Sequence, residues 1–248
     1  MNYSFTKHDL SVHLKTMYVE ALLLTSPDGF GYRQIVEPLS VVVAEPGKLM
    51  KRYLSLNPGA VETQNMPGNH EVHIQTSDAF HPAFFGRYDK EGQLTKTADV
   101  LATAQLQAEQ YLQQAKLIFE LPLAEREGSS WTMRYQYMVY KYIEALLVQH
   151  HTVNAKTLMH LFGMSRVIAN KHIKELRNRF PEMMVYVPST RQFARHSQFK
   201  DEFVQHLGKT SAKTYITAVE SFFHKVEVSL AEHKPSEQVL PAEEDVCA

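Results

Sequence analysis

The chain has 248 residues, of which 44% are hydrophobic, and this composition predicts a globular protein. It carries 26 Lys and Arg against 27 Asp and Glu, and the net charge of -1 excludes a uniformly basic DNA-coating protein. The one cysteine, Cys247, excludes an intrachain disulfide and favours a cytoplasmic protein. The first residues lack a signal-peptide pattern and no apolar run is long enough to cross a bilayer, so no membrane partner is expected.

Residues 1–85 are predicted to form a winged-helix-like module. One of its helices must begin near Pro46, because proline is tolerated only in the first turn of a helix. Strands at 61–64 and 71–74 flank a predicted turn at 66–69. The outward face of the helix offers little for reading bases, so it serves either for phosphate contacts or for dimerisation and partner binding. Its possible secondary DNA contacts are Lys48, Lys51 and Arg52.

Residues 86–130 form a predicted connector. The stretch 97–120 contains no Gly or Pro and is rich in Ala, Gln and Leu, which predicts one long helix. An apolar stripe along this helix packs on the chain's own domains or forms the seam of a homodimer. The stripe consists of Leu101, Ala104, Ala108, Tyr111, Leu112, Ala115 and Phe119, and a polar linker follows at 125–130.

Residues 131–200 concentrate positive charge. They carry eleven Lys and Arg against three Asp and Glu, a net of +8, whereas residues 226–248 carry one Lys against six acids, a net of -5. A basic stretch of this kind within a neutral chain is typical of a module that binds a polyanion. The alternative is an ordinary solvated basic face.

The order of elements in 131–200 decides between these two interpretations. Helical spacing runs over 131–149, and a short helix follows at 154–162, with Asn154 as its N-cap and Gly163 as its stop. A third helix begins at Ser165 and ends before Pro181, and strands at 183–187 and 191–194 form a hairpin. Three helices followed by a hairpin predict a winged helix-turn-helix.

The third helix presents a face suited to the major groove. When Ala169, Ile173 and Leu176 are set as the buried stripe, the opposite face carries groups that pair with adenine, touch a thymine methyl or meet phosphate and guanine. Wing arginines are placed for the backbone or the minor groove. The predicted DNA contacts are Ser165, Arg166, Val167, Asn170, Lys171, Lys174 and Asn178 on the helix, and Arg191 and Arg195 on or beside the wing.

The run Phe162-Gly163-Met164-Ser165-Arg166, followed by Ala169-Asn170, Ile173 and Leu176, resembles the helix-turn-helix of winged transcriptional regulators that often carry a WYL ligand-sensing domain. Pro181 and Tyr186 also fit the pattern of the DeoR-like subgroup that controls phage-defence islands. The resemblance covers about 70 residues and implies DNA binding, transcription regulation and a link to mobile genetic elements or phage defence. Nothing downstream resembles a WYL domain, so a small-molecule ligand stays open.

The two halves of the chain also resemble each other. Residues 18–24 parallel residues 142–148, and residues 30–58 align without gaps onto residues 153–181, with Lys51 on Lys174 and Pro58 on Pro181. The same order of elements follows in both halves. The sequence therefore predicts a tandem pair of winged helices.

Residues 201–232 are predicted to form C-terminal helices, at about 199–207 and 211–231, and residues 233–248 a disordered acidic tail. Thirteen histidines invite a metal site, but His70 and His73 miss the spacing of a zinc helix and His150 and His151 lack ligand partners. No phosphate loop or nucleophile elbow is present. No metal, cofactor or enzymatic activity is expected.

The predicted fold is mainly α with small β-hairpins (α+β), with two winged helix-turn-helix modules joined by a long helix. The leading hypothesis is a sequence-specific regulator that binds double-stranded DNA, as a homodimer, in the cytoplasm near the nucleoid. Two alternatives stay open: a plasmid or phage replication initiator built from tandem winged helices, and a protein-interaction adaptor.

Overall fold

The computed structural model describes residues 7–26, 28–31, 46–65, 72–86, 100–121, 131–199 and 211–232, and this part is mainly α-helical with two small antiparallel sheets. The α+β class predicted from the sequence is confirmed. Four predicted features lie outside the described residues: the turn at 66–69, the linker at 125–130, nearly all of the helix at about 199–207, and the tail.

The first half begins with helix α1, Lys7–Thr25, and the two-residue strand β1, Phe30–Gly31. Helix α2 spans Pro46–Leu56 and begins at the predicted proline, where the missing N–H leaves no helical hydrogen bond unmade. Strands β2, Val61–Asn65, and β3, Val72–Thr76, pair antiparallel. The sheet order is β1-β3-β2.

Helix α3, Val100–Phe119, connects the halves. In the described residues the second half runs helix, strand, two helices, hairpin and long helix, and its sheet order is β4-β6-β5. Its elements are α4 (Trp131–His150), β4 (Thr152–Val153), α5 (Ala155–Phe162), α6 (Arg166–Arg179), β5 (Met184–Val187), β6 (Gln192–Arg195) and α7 (Ala212–Glu232).

A constant offset relates the two sheets. Strands β2 and β5 begin 123 positions apart, and helices α2 and α6 end 123 positions apart. The outer strands keep this offset in their pairing: Phe30 and Thr63 both pair with Ile74, and the residues 123 positions later, Val153 and Tyr186, both pair with Phe193, which follows Ile74 by 119 positions. Both hairpins therefore have the same register against their central strand.

Helix α7 supplies core to both halves. It packs on α1 and α3 of the first half and on α4 and α5 of the second. The ring of Phe222 stacks on Tyr111 with centroids 4.8 Å apart, and its neighbour Phe223 meets Phe162 edge-on at 5.1 Å. Each such buried side chain contributes roughly 1.5–3 kcal/mol of burial free energy. The buried side chains of both halves belong to one hydrophobic cluster, so the two halves share one core.

The predicted stripe of α3 is correct except at its first residue. Ala104, Ala108 and Phe119 are buried against α1 and α7, but Leu101 is 60% exposed. Leu101 lies in the first turn of α3, on its solvent side. The stripe is therefore buried within the chain. Within the described ranges no helix is both long enough and apolar enough to span a membrane.

A second correction concerns the short connection between the helices predicted at 131–149 and 154–162, where no strand was expected. Thr152 and Val153 form β4 instead, with Val153 opposite Phe193 on β6. His151 takes a left-handed φ of 60° between α4 and β4, and its carbonyl accepts a hydrogen bond from the Arg195 amide at 2.8 Å. The turn thereby anchors the sheet to the end of α4.

Candidate nucleic-acid interface

The helix-turn-helix is fixed by two caps and a left-handed glycine. The Asn154 side chain accepts a hydrogen bond from the Thr157 amide at 3.0 Å and begins α5. Gly163, with φ of 58°, ends α5, and the Ser165 hydroxyl accepts from the Ile168 amide at 3.4 Å to begin α6. All three roles were predicted from the sequence, and together they set the angle between α5 and α6.

Helix α6 is strongly two-sided. Ala169, Ile173 and Leu176 are fully buried, as predicted, and pack against α4 and α5. The opposite side is solvent-exposed, and Val167 is 78% exposed in the first turn. The Val167 side chain therefore contributes little to the packing of the chain's own core.

Between the outer face of α6 and the wing hairpin lies an open concavity of about 630 Å³. The first turn of α5 closes its third side. Five of the described residues that line it are Lys or Arg and none is Asp or Glu, which gives the concavity a positive field. The five cations are Lys156, Arg166, Lys174, Arg177 and Arg191.

The structure places the predicted contact residues in three groups. Arg166, Asn170, Lys174 and Arg191 line the concavity together. Ser165 is exposed but serves as the cap of α6. The remaining helix residues are exposed beside the concavity rather than within it, and they are Val167, Lys171 and Asn178.

Arg195 lies away from the concavity. Its guanidinium stacks over the Phe199 ring at 4.4 Å from the centroid, and one of its nitrogens donates to the Phe199 carbonyl at 3.4 Å. The chain turns back after β6 through a hydrogen bond between the Phe199 amide and the His196 carbonyl, which brings the ring beneath Arg195. This arginine therefore braces the base of the wing.

Two cations of the concavity were absent from the sequence prediction. Arg177 follows Arg166 by eleven positions, three helical turns, so it falls on the same stripe of α6. Its guanidinium carbon is 5.9 Å from the centroid of the Phe193 ring in the wing. The helical period alone would have revealed Arg177, whereas Lys156 joins the site only through the packing of α5 on α6.

One acidic residue on α6 is held by its neighbours. The Glu175 carboxylate accepts hydrogen bonds from the Tyr140 hydroxyl at 3.0 Å and from Gln136 at 3.2 Å. Burial, and less strongly the bond to Glu175, raise the pKa of Tyr140 to about 12, so this phenol stays a donor. The other oxygen of Glu175 lies 3.7 Å from the ammonium of Lys171, which partly neutralises that lysine.

The tip of the wing contains an unusual backbone conformation. Pro188 to Arg191 connect β5 to β6, and the Arg191 amide donates to the Pro188 carbonyl at 3.3 Å. Arg191 has φ of 54°, in the left-handed region that residues with a Cβ atom rarely adopt. Its neighbours Thr190 and Gln192 also line the concavity.

The possible secondary contacts of the first half are only partly described. Lys51 and Arg52 lie exposed on α2, while the side chain of Lys48 lies outside the described residues. Separately, the described ranges contain no group of three or more His, Cys, Asp or Glu residues arranged to hold a metal ion.

A comparison with known families gives a match within the second half. Residues 135–221 match the family model of the BrxR transcriptional regulator winged helix-turn-helix domain. The match covers 87 of the 248 residues and runs from α4 into α7, so it contains the whole concavity. The predicted resemblance to winged helix-turn-helix regulators is confirmed, and the matched domain is a regulatory rather than a typically enzymatic one. No curated protein and no solved structure matches the chain.

Proposed function

We propose, taking the regulator match of residues 135–221 as the premise, that this chain is a transcriptional regulator that binds duplex DNA sequence-specifically. The observation that carries the proposal is the concavity between α6 and the wing, lined by five cations and no acid among the described residues. A helix about 10–12 Å across fits the major groove of B-DNA, about 12 Å wide. With α6 in that groove, the wing lies over the adjacent backbone.

The proposed mechanism divides the site into base-reading and phosphate-binding groups. Asn170 is the candidate for bidentate pairing with an adenine edge, and Val167 for contact with a thymine methyl. Lys174 and Arg177 are the candidates for phosphate contacts on the wing side of α6. Base contacts give discrimination, whereas phosphate contacts give affinity that falls with salt.

Selection of bound sequences from a random duplex pool tests the proposal most directly. A consensus that spans several base pairs supports it, and recovery of no preferred sequence contradicts it. The Asn170→Ala variant should relax discrimination at one position of the consensus, at a cost of about 1–3 kcal/mol there. With five phosphate contacts, the logarithm of the binding constant should fall against the logarithm of salt concentration with a slope of about -4.5.

We also propose that the first half is a second winged helix. The shared sheet order, the common offset and the matching hairpin register support this interpretation. At the positions that the offset equates with Arg166, Asn170 and Arg177, the first half carries Val43, Gly47 and Leu54. Of the α6 residues that line the concavity, only Lys174 keeps its charge in the first half, as Lys51, so DNA binding is assigned mainly to the second half.

The homodimer predicted from the sequence remains a proposal, but the apolar stripe of α3 is no longer a candidate for its interface. The apolar stripe of α3 is buried against α1 and α7, so two chains would associate through another surface. A palindromic consensus from the random pool, with half-sites separated by a whole number of helical turns, would support the dimer. Light scattering on the free protein measures the mass of the assembly directly.

The repeated architecture also favours a second candidate, a replication initiator with tandem winged helices. This function predicts binding to iterated origin repeats, whereas a regulator binds at a promoter. Footprinting on the DNA that flanks the encoding gene separates the two. The resemblance to regulators of phage-defence islands makes a promoter of such a gene cluster the first target to footprint.

A further inference from the structure

The two long helices that follow the hairpins, α3 and α7, occupy equivalent places in the two halves. Helix α3 packs on α1, and α7 packs on α4. The Tyr111 hydroxyl donates to the Leu14 carbonyl at 2.8 Å, and the Tyr215 hydroxyl lies 3.5 Å from the Met138 carbonyl oxygen. Met138 follows Leu14 by 124 positions, the offset at which α1 and α4 resemble each other in sequence. Tyr111 and Tyr215 therefore make the same contact, each within its own half.

The contacts between the halves are reciprocal. Helix α7 packs on α1 of the first half, and its counterpart α3 packs on α4 of the second. Between α3 and α7, the ring of Phe222 stacks on Tyr111, and the Tyr215 hydroxyl donates to the Ile118 carbonyl at 3.1 Å. Phe222 follows Ile118 by 104 positions, as Tyr215 follows Tyr111. The same pair of positions thus meets twice, once in each direction, as in an isologous interface between two copies.

This packing relates the two halves as a two-fold axis relates the subunits of a dimer. A head-to-tail arrangement would bring each position against a different one, so it would not give reciprocal contacts. Helix α2 packs on α1 as α6 packs on α4, so the same rotation relates α2 to α6. In dimeric helix-turn-helix proteins, such an axis sets the two recognition helices on two half-sites of one duplex.

We propose that each chain is an internal dimer that lays both halves on one duplex, so that its DNA site has two half-sites and only one of them is read. The inference rests on the proposed function, including the second winged helix. Helix α6 carries the proposed base-reading groups, whereas α2 has Gly47 at the position of Asn170 and keeps a lysine, Lys51, at the position of Lys174. Phosphates are present in every sequence, so a half that keeps phosphate-binding cations alone covers its half-site without discriminating among bases.

The expected ligand is therefore asymmetric: a consensus read by α6, followed on one side by about one helical turn, ~10 base pairs, that the first half covers. A homodimer of whole chains would carry two such sites. A palindrome with half-sites only one turn apart would mean that α6 of a second chain occupies the place of the first half, and this result overturns the inference.

Duplexes that share the selected consensus and differ in their flanks test the inference. One set extends the consensus by ~10 base pairs on one side and a second set extends it on the other. At ~100 mM salt, the native protein should bind one set about tenfold more tightly than the bare consensus and the other less than about twofold more tightly. Replacing the sequence of the favoured extension should leave the affinity unchanged within about twofold, because phosphates carry no sequence information.

Matched variants assign the extension to the first half. Lys51→Ala should bind the bare consensus as the native protein does and lose most of the gain from the favoured extension, whereas Lys51→Arg should keep the gain. Lys174→Ala should weaken binding to the bare consensus and keep the gain. Lys213→Ala removes an exposed cation of α7, away from both α2 and α6, and should behave as the native protein.

The outcomes separate the inference from the proposed function. If neither extension raises the affinity while Lys174→Ala still weakens binding to the consensus, the inference fails and the proposed function stands. Equal gains from both extensions, unchanged in Lys51→Ala, also overturn the inference, because they would come from duplex length alone. If the native protein binds no duplex at ~50 mM salt, both fail.

Discussion

The Tyr53 hydroxyl donates a hydrogen bond to the Glu20 carboxylate at 3.3 Å in the core of the first half. The same carboxylate accepts the backbone amides of Ala83 and Phe84 at 2.7 Å and of Phe85 at 3.0 Å. Glu20 is fully buried on α1, so it fastens both α2 and the segment after the first hairpin to that helix.

Glu20 should make the stability of the protein fall as pH rises from 4.5 to 7. Burial, opposed by the amide hydrogen bonds, raises the pKa of Glu20 from 4.5 to about 7. Between these values the folded state binds more protons than the unfolded state, so its free energy of unfolding decreases with pH, by roughly 3 kcal/mol in all. Denaturant unfolding at several pH values measures the change.

The Glu20→Gln variant should lose this pH dependence. Its overall stability should be lower, because the glutamine amide nitrogen is a donor and would face backbone N–H groups that are also donors. Glu62→Gln, which changes an exposed carboxylate on β2, is the control and should keep the native slope. A direct titration by carboxyl carbon chemical shift should give a midpoint near 7. A midpoint near 4.5 would contradict the prediction.

The fold should unfold in one cooperative transition because the first and last described helices are joined in the core. The His13 imidazole on α1 lies 3.0 Å from the Ser229 hydroxyl on α7, and α7 packs on both halves.

The Ser229→Ala variant should lose about 1–3 kcal/mol of unfolding free energy, because a buried polar contact is removed. Ser221→Ala, at a half-buried position on the same helix, should stay within about 0.5 kcal/mol. Two separate calorimetric peaks would contradict the shared core.

The two exposed lysines of α6 should contribute unequally to DNA affinity. Lys174 lines the concavity, whereas Lys171 lies beside it, 3.7 Å from Glu175. Lys174→Ala should weaken binding to every duplex about tenfold near 100 mM salt and flatten the salt slope by about 0.9. Lys171→Ala should have a smaller effect on both, measured by fluorescence anisotropy on the same duplexes. Equal losses would show that both lysines meet phosphates.

Gly29 should tolerate no side chain. Its φ is 81°, and a Cβ atom there would lie 2.6 Å from the Ile74 carbonyl oxygen. Gly59 is the matched control, because its φ of 76° is similar but a Cβ atom would meet nothing within 4 Å. Gly59→Ala should cost about 1 kcal/mol for the conformation alone, and Gly29→Ala at least about 2 kcal/mol in chemical unfolding. Similar losses would show that β3 moves aside.

The helix-turn-helix was predictable because its boundaries depend on capping residues that act on their near neighbours in the sequence. Asn154, Gly163 and Ser165 each act through neighbours within a few positions, so sequence alone suffices to place them. Strand β4 was missed because two residues carry no periodicity, and its pairing with β6 is a long-range contact. Leu101 was wrongly predicted to be buried, because the helical period shows which face of α3 is apolar but not how far along that face other helices pack against it.

The predicted contact residues divide in the same way, into those set by local pattern and those set by long-range packing. Arg166, Asn170 and Lys174 share a helix face, and the helical period brings them together. The difference between Arg191 and Arg195 depends on the path of the chain after β6, which brings Phe199 under Arg195 alone. No local pattern distinguishes these two arginines.

The position of α7 at the end of the described chain has a consequence for synthesis on the ribosome. The apolar faces of α1, α3 and α4 all emerge before residues 212–232, which cover them. Until α7 leaves the exit tunnel, Tyr111, Phe119 and Phe162 lack the phenylalanine rings that they contact in the finished fold. A nascent chain that stops before residue 212 therefore exposes the uncovered apolar side chains to chaperones and proteases. A premature stop codon there leaves both halves without the part of the core that α7 supplies.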